Sequence, residues 1–431
     1  MKRFLAILMV VASLLCWMPA SQAKEATPVA VDNSNPVSLY SPVTQQLVDL
    51  VEHNAELRAL LVKSIAKAKE INPDRLSNPA QTLEEYYDFV EKAIKSQPWA
   101  VLHNESIPGL LEKIDQSLDY IYFISDIPLG ELKNRGFYNN SIQYMEPYRS
   151  WLISYAKAWG AFLDTEASWN NDYYTMALAD ERFGLNRDWY EDPSNWKTFN
   201  QFFARYLKSP DVRPITAKDD DAVVTAPADS SPQGVWKIDG NSQIVQREGV
   251  RIKSRAFNSV TELLGPGSAY GKAFAGGTLT HTFLDVNDYH RYHFPVSGTL
   301  KEMRLIAADD AVGGIQTWDA KSQKYMLDAN TPGWQSIETR GCLVLETKDY
   351  GLVALLPVGM SQVSSVNFEP WLKVGDTVKK GDPFGFFLFG GSDIVMVFQK
   401  GVRFNMTAPR SGSGYKHIMM GEEYGRLGKA R

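Results

Sequence analysis

The sequence is poor in cysteine and histidine, the residue types that most often build disulfide frameworks and zinc sites. It has 2 cysteines and 6 histidines in 431 residues. Cys342 is the cysteine that remains once a predicted N-terminal signal is removed, so we expect no internal disulfide. Because Cys342 lies in a strand-like run, Gly341–Leu345, we expect a buried core residue and not a nucleophile.

The sequence also lacks a basic run, and its formal net charge is −5. A mildly acidic chain without clustered lysine and arginine is not typical of nucleic-acid-binding proteins, so we expect no nucleic-acid partner. Beyond the N-terminus no apolar stretch is long enough to cross a bilayer, so we expect no transmembrane span in the mature chain. Internal repeats and low-complexity tracts are absent.

The N-terminus has the pattern of a secretory signal. Two basic residues at positions 2 and 3 precede the apolar run Phe4–Trp17, and Ser21–Ala23 places small residues before a cleavage site. We therefore predict a signal peptide over residues 1–23 and a mature protein that begins at Lys24 and is periplasmic or secreted. The alternative is an uncleaved N-terminal anchor.

The first half of the chain is predicted to be helical. After a leader over residues 24–40, Ser41 and Pro42 have the pattern of a helix start, and apolar residues follow at helical spacing from Val43 to Ile65. Further helices are predicted over Thr82–Ser96, Leu110–Ser125 and Gln143–Ala167. The last of these has a broad aromatic face, which we interpret as core packing. Together these segments form a predicted helical domain over residues 41–190.

From Ala222 onward the apolar pattern changes to a period of two, which is typical of strands. The candidate strands are Val223–Thr225, Val235–Ile238, Leu300–Ile306, Cys342–Thr347, Leu352–Pro357, Val363–Phe368 and Asp393–Phe398. The predicted fold class is therefore α+β, with an N-terminal α-helical domain followed by a mainly β catalytic domain over residues 195–431.

One segment of this β region, Val374–Gly385, resembles the glycine-turn hairpins of biotinyl- and lipoyl-carrying barrels. It predicts a strand pair and a barrel-sandwich-like architecture. Lys379 and Lys380 are interpreted as solvated charges at strand ends and not as carriers of a cofactor.

Three short segments carry the chemistry. Ala226–Asp229 ends in an acid, Asp288–Pro295 contains a histidine pair, and Phe389–Asp393 contains a serine after two glycines. An acid, a histidine and a serine are the groups that activate a serine hydroxyl. No third metal ligand accompanies the histidines, and an arginine lies between them, so we predict no metal.

Ser392 lacks the context of an ordinary hydrolase nucleophile. The glycine that follows the serine in a nucleophile elbow is missing, and Ser392 begins a strand-like run and not a helix. Gly391 has no Cβ to oppose a strained backbone, so the hydroxyl of Ser392 is suited to attack the preceding carbonyl. Two alternatives remain: a serine hydrolase that uses Asp229, His293 and Ser392 in an intact chain, and an unprocessed, non-enzymatic binding protein.

In this order, and with Thr198–Arg205 and Arg213–Ile215 upstream, the segments resemble the phosphatidylserine decarboxylase family. Members of this family are pyruvoyl-dependent enzymes that are made as self-cleaving proenzymes. The resemblance extends from about Asn195 to near the C-terminus. Residues 41–190 resemble the helical domain of a longer branch of the family.

The resemblance implies roles for individual residues. Asp229 and His293 would assist self-cleavage between Gly391 and Ser392, and His290 would contact the substrate or move a proton. The cofactor would be a pyruvoyl group made from Ser392, and the small chain released by cleavage would stay as a partner. The substrate would be phosphatidylserine, converted to phosphatidylethanolamine, or a related soluble amino acid. Peripheral contact with a membrane is left open.

The sequence departs from the family pattern at two positions. Ser230 replaces the glycine that usually follows the Pro-Ala-Asp segment, and Asp393 replaces the threonine or serine that usually follows the cleavage serine. We expect the carboxylate of Asp393 to slow cleavage or to attract a cationic group of the substrate.

Overall fold

The fold is that of a computed structural model, which describes residues 39–102, 110–246, 251–252, 255–256, 258–307, 315–328, 332–360, 366–389 and 391–429. The predicted signal peptide lies outside these residues, as does the predicted leader up to residue 38. Residues Tyr40–Arg431 form one compact unit. The boundary that the sequence places near residue 190 stays a prediction.

The α+β fold class is confirmed, since helices come first and antiparallel strands follow. The α-helices are α1 (Pro42–Glu52), α2 (Ala55–Ile71), α3 (Leu83–Ala93), α4 (Leu110–Asp126), α5 (Tyr148–Leu163), α6 (Asn171–Ala179), α7 (Phe199–Phe203) and α8 (Val260–Leu264). Nine short 3₁₀ helices, most of them between α4 and the first strand, accompany them in the described residues. None of the helices described is long and apolar enough to span a bilayer.

The strands follow from residue 223 onward. They are β1 (Val223–Thr225), β2 (Ser231–Lys237), β3 (Arg251–Ile252), β4 (Arg255–Ala256), β5 (Thr278–Leu284), β6 (Arg291–His293), β7 (Gly298–Ile306), β8 (Ile315–Asp319), β9 (Lys324–Asp328), β10 (Thr339–Glu346), β11 (Leu352–Met360), β12 (Val366–Phe368), β13 (Thr377–Val378), β14 (Pro383–Phe387), β15 (Gly391–Phe398), β16 (Val402–Met406), β17 (Arg410–Ser411), β18 (Gly414–Tyr415) and β19 (Glu423–Lys429).

A seven-stranded antiparallel sheet, in the order β13-β7-β10-β11-β15-β5-β2, is the centre of the β region. Two three-stranded sheets, β1-β19-β16 and β12-β14-β6, accompany it. Side chains alternate between the faces of each strand. On β15, Ile394, Met396 and Phe398 belong to the larger hydrophobic core, which the helices share, whereas Val395 and Val397 belong to a second core on the other face.

The helix predictions are largely confirmed, with shifted ends. The helices predicted over Thr82–Ser96 and Leu110–Ser125 appear as α3 and α4. The helical spacing from Val43 to Ile65 is divided between α1 and α2, because the side chain of Asn54 starts a new helix by accepting a hydrogen bond from the Leu57 amide at 3.0 Å. Sequence periodicity continues across this break and did not reveal it.

The aromatic face of α5 is core packing, as predicted. Trp151, Tyr155 and Trp159 are each at most 1% exposed. The ring of Trp159 lies 5.6 Å from that of Phe389, which is in the β region and three residues before Ser392. The helical region therefore packs directly on the segment that leads to the predicted cleavage serine.

The seven predicted strands are present, although the predicted strand over Val363–Phe368 begins within residues that are not described and is seen as β12. The predicted hairpin over Val374–Gly385 is wrong. Its two strands do not pair with each other: β13 pairs with β7, and β14 pairs with β12 and β6. Glycine turns are local signals, whereas the choice of partner strand depends on residues distant in sequence.

Lys380 is also placed differently from its prediction as a solvated charge. It is 1% exposed, and its Nζ donates hydrogen bonds to the carbonyl oxygens of Ala217 at 3.0 Å and Asp220 at 2.7 Å. Cys342 is buried in β10 as predicted, and burial raises the pKa of its thiol to about 12.

Candidate active site

Ser392 is the second residue of β15, a central strand of the large sheet. It lies opposite Gly359 of β11 on one side and Leu284 of β5 on the other, and it is fully buried. By the alternation of the strand, its side chain is on the same face as Ile394, which packs in the core shared with the helices. The hydroxyl therefore lies on the side of the sheet that faces the helical region.

The segment before Ser392 is held by α7. The backbone amide of Phe389 donates a hydrogen bond to Asn200 Oδ1 at 3.0 Å, and Asn200 Nδ2 donates to Asp164 Oδ1 at 2.7 Å. The Phe389 ring contacts those of Phe199 and Phe203 in edge-to-face geometry, at 5.3 and 5.4 Å. The motif Thr198–Arg205 thus holds Phe389, three residues before the predicted cleavage serine.

His290 belongs to the same group of side chains. Its ring stacks on that of Phe203, with the centroids 3.8 Å apart. Its Nδ1 donates to the carbonyl oxygen of Asp288 at 3.0 Å, and among the described residues its buried Nε2 has no partner. Burial, aided by the charge of Arg205, holds the pKa of His290 well below its ordinary value. The ring is therefore a neutral imidazole whose Nε2 carries a lone pair.

His293 lies on β6, which pairs with β14. Its Nδ1 donates to the carbonyl oxygen of Gly381 at 2.8 Å, and the hydroxyl of Tyr289 donates to its Nε2 at 3.2 Å. Burial lowers the pKa of His293 to about 4. These contacts fix the tautomer that leaves Nε2 as the acceptor, which is the form that a general base needs.

Asp229 has a different partner from the one that the sequence predicts. Its carboxylate accepts two hydrogen bonds from the guanidinium of Arg213, at 3.1 and 2.7 Å, and one from the amide of Met420 at 2.7 Å. Among the described contacts there is no hydrogen bond between Asp229 and His293. The negative charge of Asp229 nevertheless acts on His293, since it opposes the lowering of the histidine pKa by burial.

A cavity of about 440 Å³ opens beside His293. Basic, acidic, aromatic and aliphatic side chains form its wall, among them Tyr206, Arg213, Lys218, Tyr289, Arg291, Glu369, Lys380 and Asp382. Two of the cations are neutralised, because Arg213 is paired with Asp229 and Arg291 lies 3.1 Å from the carboxylate of Glu369. The cavity can accept a ligand that combines an anionic group with apolar surface.

Asp393 lies on the opposite face of the sheet from Ser392, since neighbouring residues of a strand point in opposite directions. Its Oδ2 accepts hydrogen bonds from His281 Nδ1 at 2.8 Å and from Gln335 Nε2 at 2.9 Å. The expectation that this carboxylate meets a cationic group of the substrate is therefore wrong, because the side chain points into the second core. The predicted strand over Asp393–Phe398 already implies that Ser392 and Asp393 point to opposite faces.

Ser230, the other departure from the family pattern, fits its position. Its Oγ donates to the carbonyl oxygen of Ala228 at 3.1 Å and accepts from the hydroxyl of Thr282 at 2.7 Å. The hydroxyl that stands where the family usually has glycine is thus buried with a hydrogen-bond donor and an acceptor.

Sequence reasoning missed several residues that support the histidines. Arg205 Nη2 donates to the carbonyl oxygens of Asn287 and Asp288, at 2.9 and 3.0 Å, and so fixes the loop before His290. The carboxylate of Asp288 lies 2.8 Å from His417 Nε2, and although burial opposes it, this contact raises the pKa of His417 to about 8. Arg205 belongs to a motif that the sequence singled out, but His417 carried no local signal.

The family comparison agrees with this geometry. The model of the phosphatidylserine decarboxylase family matches residues 199–426, which is just over half of the chain. The chain belongs to the phosphatidylserine decarboxylase family. The matched residues include both histidines, Asp229 and the Gly391–Ser392 pair, so the candidate site lies within the family region.

Individual relatives agree. Phosphatidylserine decarboxylase proenzyme 2 of Oryza sativa is 35% identical over 219 residues, which are 50% of this chain and 32% of the rice protein. A phosphatidylserine decarboxylase proenzyme of Alcanivorax borkumensis is 28% identical over 274 residues, covering 61% of this chain and 87% of that protein. Decarboxylase iboD of Amanita muscaria is 26% identical over 299 residues, covering 63% and 82%. The chain thus spans about a third of the rice relative.

The buried histidines predict a loss of stability in mild acid. The folded protein holds His293 neutral down to a pKa of about 4, whereas the unfolded chain takes up a proton below the ordinary value of 6.5. The contribution of the neutral, buried His293 to the free energy of unfolding is therefore complete above pH 6.5 and decreases as the pH falls toward 4. In the Ser392→Ala protein, chemical denaturation should show that His293→Gln reduces the stability lost between pH 7 and 5 by on the order of 2 kcal/mol.

His53→Gln is the matched control for this measurement, since the ring of His53 is exposed at the end of α1. The His53→Gln substitution should leave the stability lost between pH 7 and 5 unchanged. An identical loss with and without His293 would contradict the neutral, buried assignment.

Proposed function

We propose that the protein is a pyruvoyl-dependent carboxy-lyase that cuts itself between Gly391 and Ser392 and decarboxylates phosphatidylserine to phosphatidylethanolamine. The observation that carries this proposal is the position of the Gly-Ser pair at the start of a buried central strand. Phe389 is fixed before the pair by α7, and the neutral His290 packs against the same aromatic cluster. The word proenzyme in the names of two relatives supports self-cleavage.

The proposed cut needs only groups of this chain and water. Ser392 Oγ attacks the carbonyl carbon of Gly391, its proton is taken by a base, and the amide C–N bond breaks as the ester forms. Removal of the proton from the Cα of Ser392 then breaks the Cβ–O bond and releases Gly391 as a carboxylate. The dehydroalanine that remains tautomerises, takes up water and loses ammonia, which leaves a pyruvoyl group on the amide of Asp393.

His293 is the proposed base for the first step. Its Nε2 holds a lone pair at neutral pH, because the pKa of the ring is about 4 and Nδ1 is committed to Gly381. Asp229 stabilises the imidazolium that forms when the serine proton arrives, through its charge and not through a direct hydrogen bond. Tyr289, whose hydroxyl occupies Nε2, has to release that nitrogen in the step.

The surroundings of Ser392 fit a pyruvoyl group. The group, once formed, supplies an electron sink for the carboxylate electrons of the substrate. The unpartnered Nε2 of His290 belongs to the aromatic cluster on the helical side of the sheet, where Ser392 points, and it is the proposed site for moving a proton. The low pKa of His290 keeps this nitrogen unprotonated until it is needed.

Phosphatidylserine is the proposed substrate for two reasons. The rice and Alcanivorax relatives are named phosphatidylserine decarboxylase proenzymes. The cavity beside His293 combines the exposed Lys218 with the exposed ring of Tyr206, and so offers a phosphate group and an apolar moiety suitable contacts. The alternative substrate is a soluble amino acid, which the name of the Amanita relative leaves open.

We also propose that the protein is exported, because residues 1–23 have the pattern of a secretory signal.

Release of carbon dioxide tests this function. The purified protein should release it from phosphatidylserine in detergent micelles, and Ser392→Ala should release none, because no hydroxyl remains from which to form the pyruvoyl group. Ser411→Ala, which changes an exposed serine of the same C-terminal segment, is the matched control and should retain full activity. Carbon dioxide released only from free serine would refute the lipid substrate, and an active Ser392→Ala protein would refute the mechanism.

A second prediction concerns the support of Phe389. Asn200→Ala removes the acceptor of the Phe389 amide and should slow self-cleavage by about tenfold, since the approach of Gly391 to the serine hydroxyl becomes less well defined. The appearance of the small chain on a denaturing gel measures the rate. Asn195→Ala, which removes an exposed asparagine from the same stretch, should cleave normally. Equal rates in both variants would show that this hydrogen bond does not orient the cut.

A further inference from the structure

A buried polar cluster lies behind the candidate cleavage serine, on the opposite face of the sheet. It consists of Asp393, His281 and Gln335, which come from β15, β5 and the short 3₁₀ helix Trp334–Ile337. Both donors bind one oxygen, Oδ2 of Asp393, at 2.8 and 2.9 Å. The side chains of Asp393 and His281 are 0% exposed.

The cluster is incompletely satisfied. Among the described residues, Oδ1 of Asp393 and Nε2 of His281 have no hydrogen-bond partner, although both are buried. The His281 ring is held from one side by Trp236, with the ring centroids 5.0 Å apart. Buried polar atoms without partners are rare in native proteins, because the free energy lost when such an atom leaves water is not recovered by a hydrogen bond. Such departures from good packing are typical of functional sites.

The place of Asp393 in the chain suggests what that function is. Under the proposed cut, the strand loses its covalent link on the Gly391 side, and the amide of Asp393 becomes the attachment of the new terminus. Free strand ends fray, because they lose the constraint of the preceding residues. A side chain anchored one residue from the new end can prevent this.

We propose that Asp393, together with His281 and Gln335, is a positioning cluster that keeps the new chain end in register after the cut. This inference rests on the proposed function. Before the cut, Ser392 is constrained from both sides, and the cluster adds little. After the cut, the cluster and the strand pairs beyond it are the constraint that remains on that side, so it acts on turnover and not on cleavage.

The test separates cleavage from turnover. Asp393→Ala should cleave at a rate within about threefold of the wild type, whereas its kcat per cleaved molecule should fall at least about tenfold with KM little changed. Asp393→Asn should restore most of the kcat, because the amide oxygen still accepts hydrogen bonds from His281 and Gln335. Rescue by asparagine distinguishes an anchor from a group that must carry charge.

Asp126→Ala is the matched control for loss of a buried carboxylate. Asp126 accepts a hydrogen bond from the amide of Gln316 at 2.8 Å in the contact between α4 and β8. Its replacement should lower the melting temperature without lowering the kcat of the cleaved, folded fraction. If Asp393→Ala does not fold, Gln335→Leu takes its place, since it removes one of the two hydrogen-bond donors to Asp393. This variant should also cleave normally and have a reduced kcat, with a smaller reduction than Asp393→Ala.

Two results would overturn the proposal. An Asp393→Ala protein, or the substitute Gln335→Leu, that turns over like the wild type would show that no anchor is needed. Parallel loss of cleavage and turnover would show that the cluster acts before the cut. Failure of the proposed function would look different, since the wild-type protein itself would then stay uncut and release no carbon dioxide.

Discussion

The alternation of side chains along β15 is the constraint on which the rest of the site depends. β15 is paired on both sides, with β11 and β5, so its register cannot slip without moving every buried side chain to the other face. This pairing sends Ser392 toward the core shared with the helices and Asp393 into the second core. One strand thus separates the proposed cleavage serine from the residue proposed to hold the new chain end in place.

The helical region contributes side chains that contact the segment next to the candidate cleavage serine. Trp159 of α5 and Phe199 of α7 both contact the ring of Phe389, and Asn200 binds the amide of that residue. Aromatic rings fill space at a small cost in conformational entropy and hold their neighbours in a defined geometry. Phe389, before the proposed cut, is therefore fixed by packing and a hydrogen bond, whereas the segment after the cut is fixed by sheet pairing and buried hydrogen bonds.

Local sequence signals predicted the longer helices and seven of the nineteen strands in the described residues, and they predicted poorly what those elements contact. The apolar periodicity that predicted α3, α4 and β10 depends on near neighbours in sequence. The pairing of Asp229 with Arg213, and the burial of Lys380 against Ala217, depend on how loops return to the sheet. Asp393 and His281 are more than a hundred residues apart, and their contact follows from the register of β15 on β5.

The same limit applies to the histidines. Their spacing of three residues let both side chains approach one cleft, but the structure gives them different neighbours. His290 lies in the aromatic cluster next to Phe203, and His293 borders the cavity with Tyr289. This difference comes from β6, which begins between them, and it supports different tasks for the two rings.

The central claim is that the chain cuts itself between Gly391 and Ser392, and the intact mass of the purified protein under denaturing conditions tests it most directly. The account predicts two masses: a large chain that ends in a Gly391 carboxylate, and a small chain that begins at residue 392 and carries a pyruvoyl group in place of the serine. A single mass for the uncut chain that persists through long incubation would contradict it. Two masses with an unmodified serine at the new terminus would contradict it as well, because they would indicate hydrolysis.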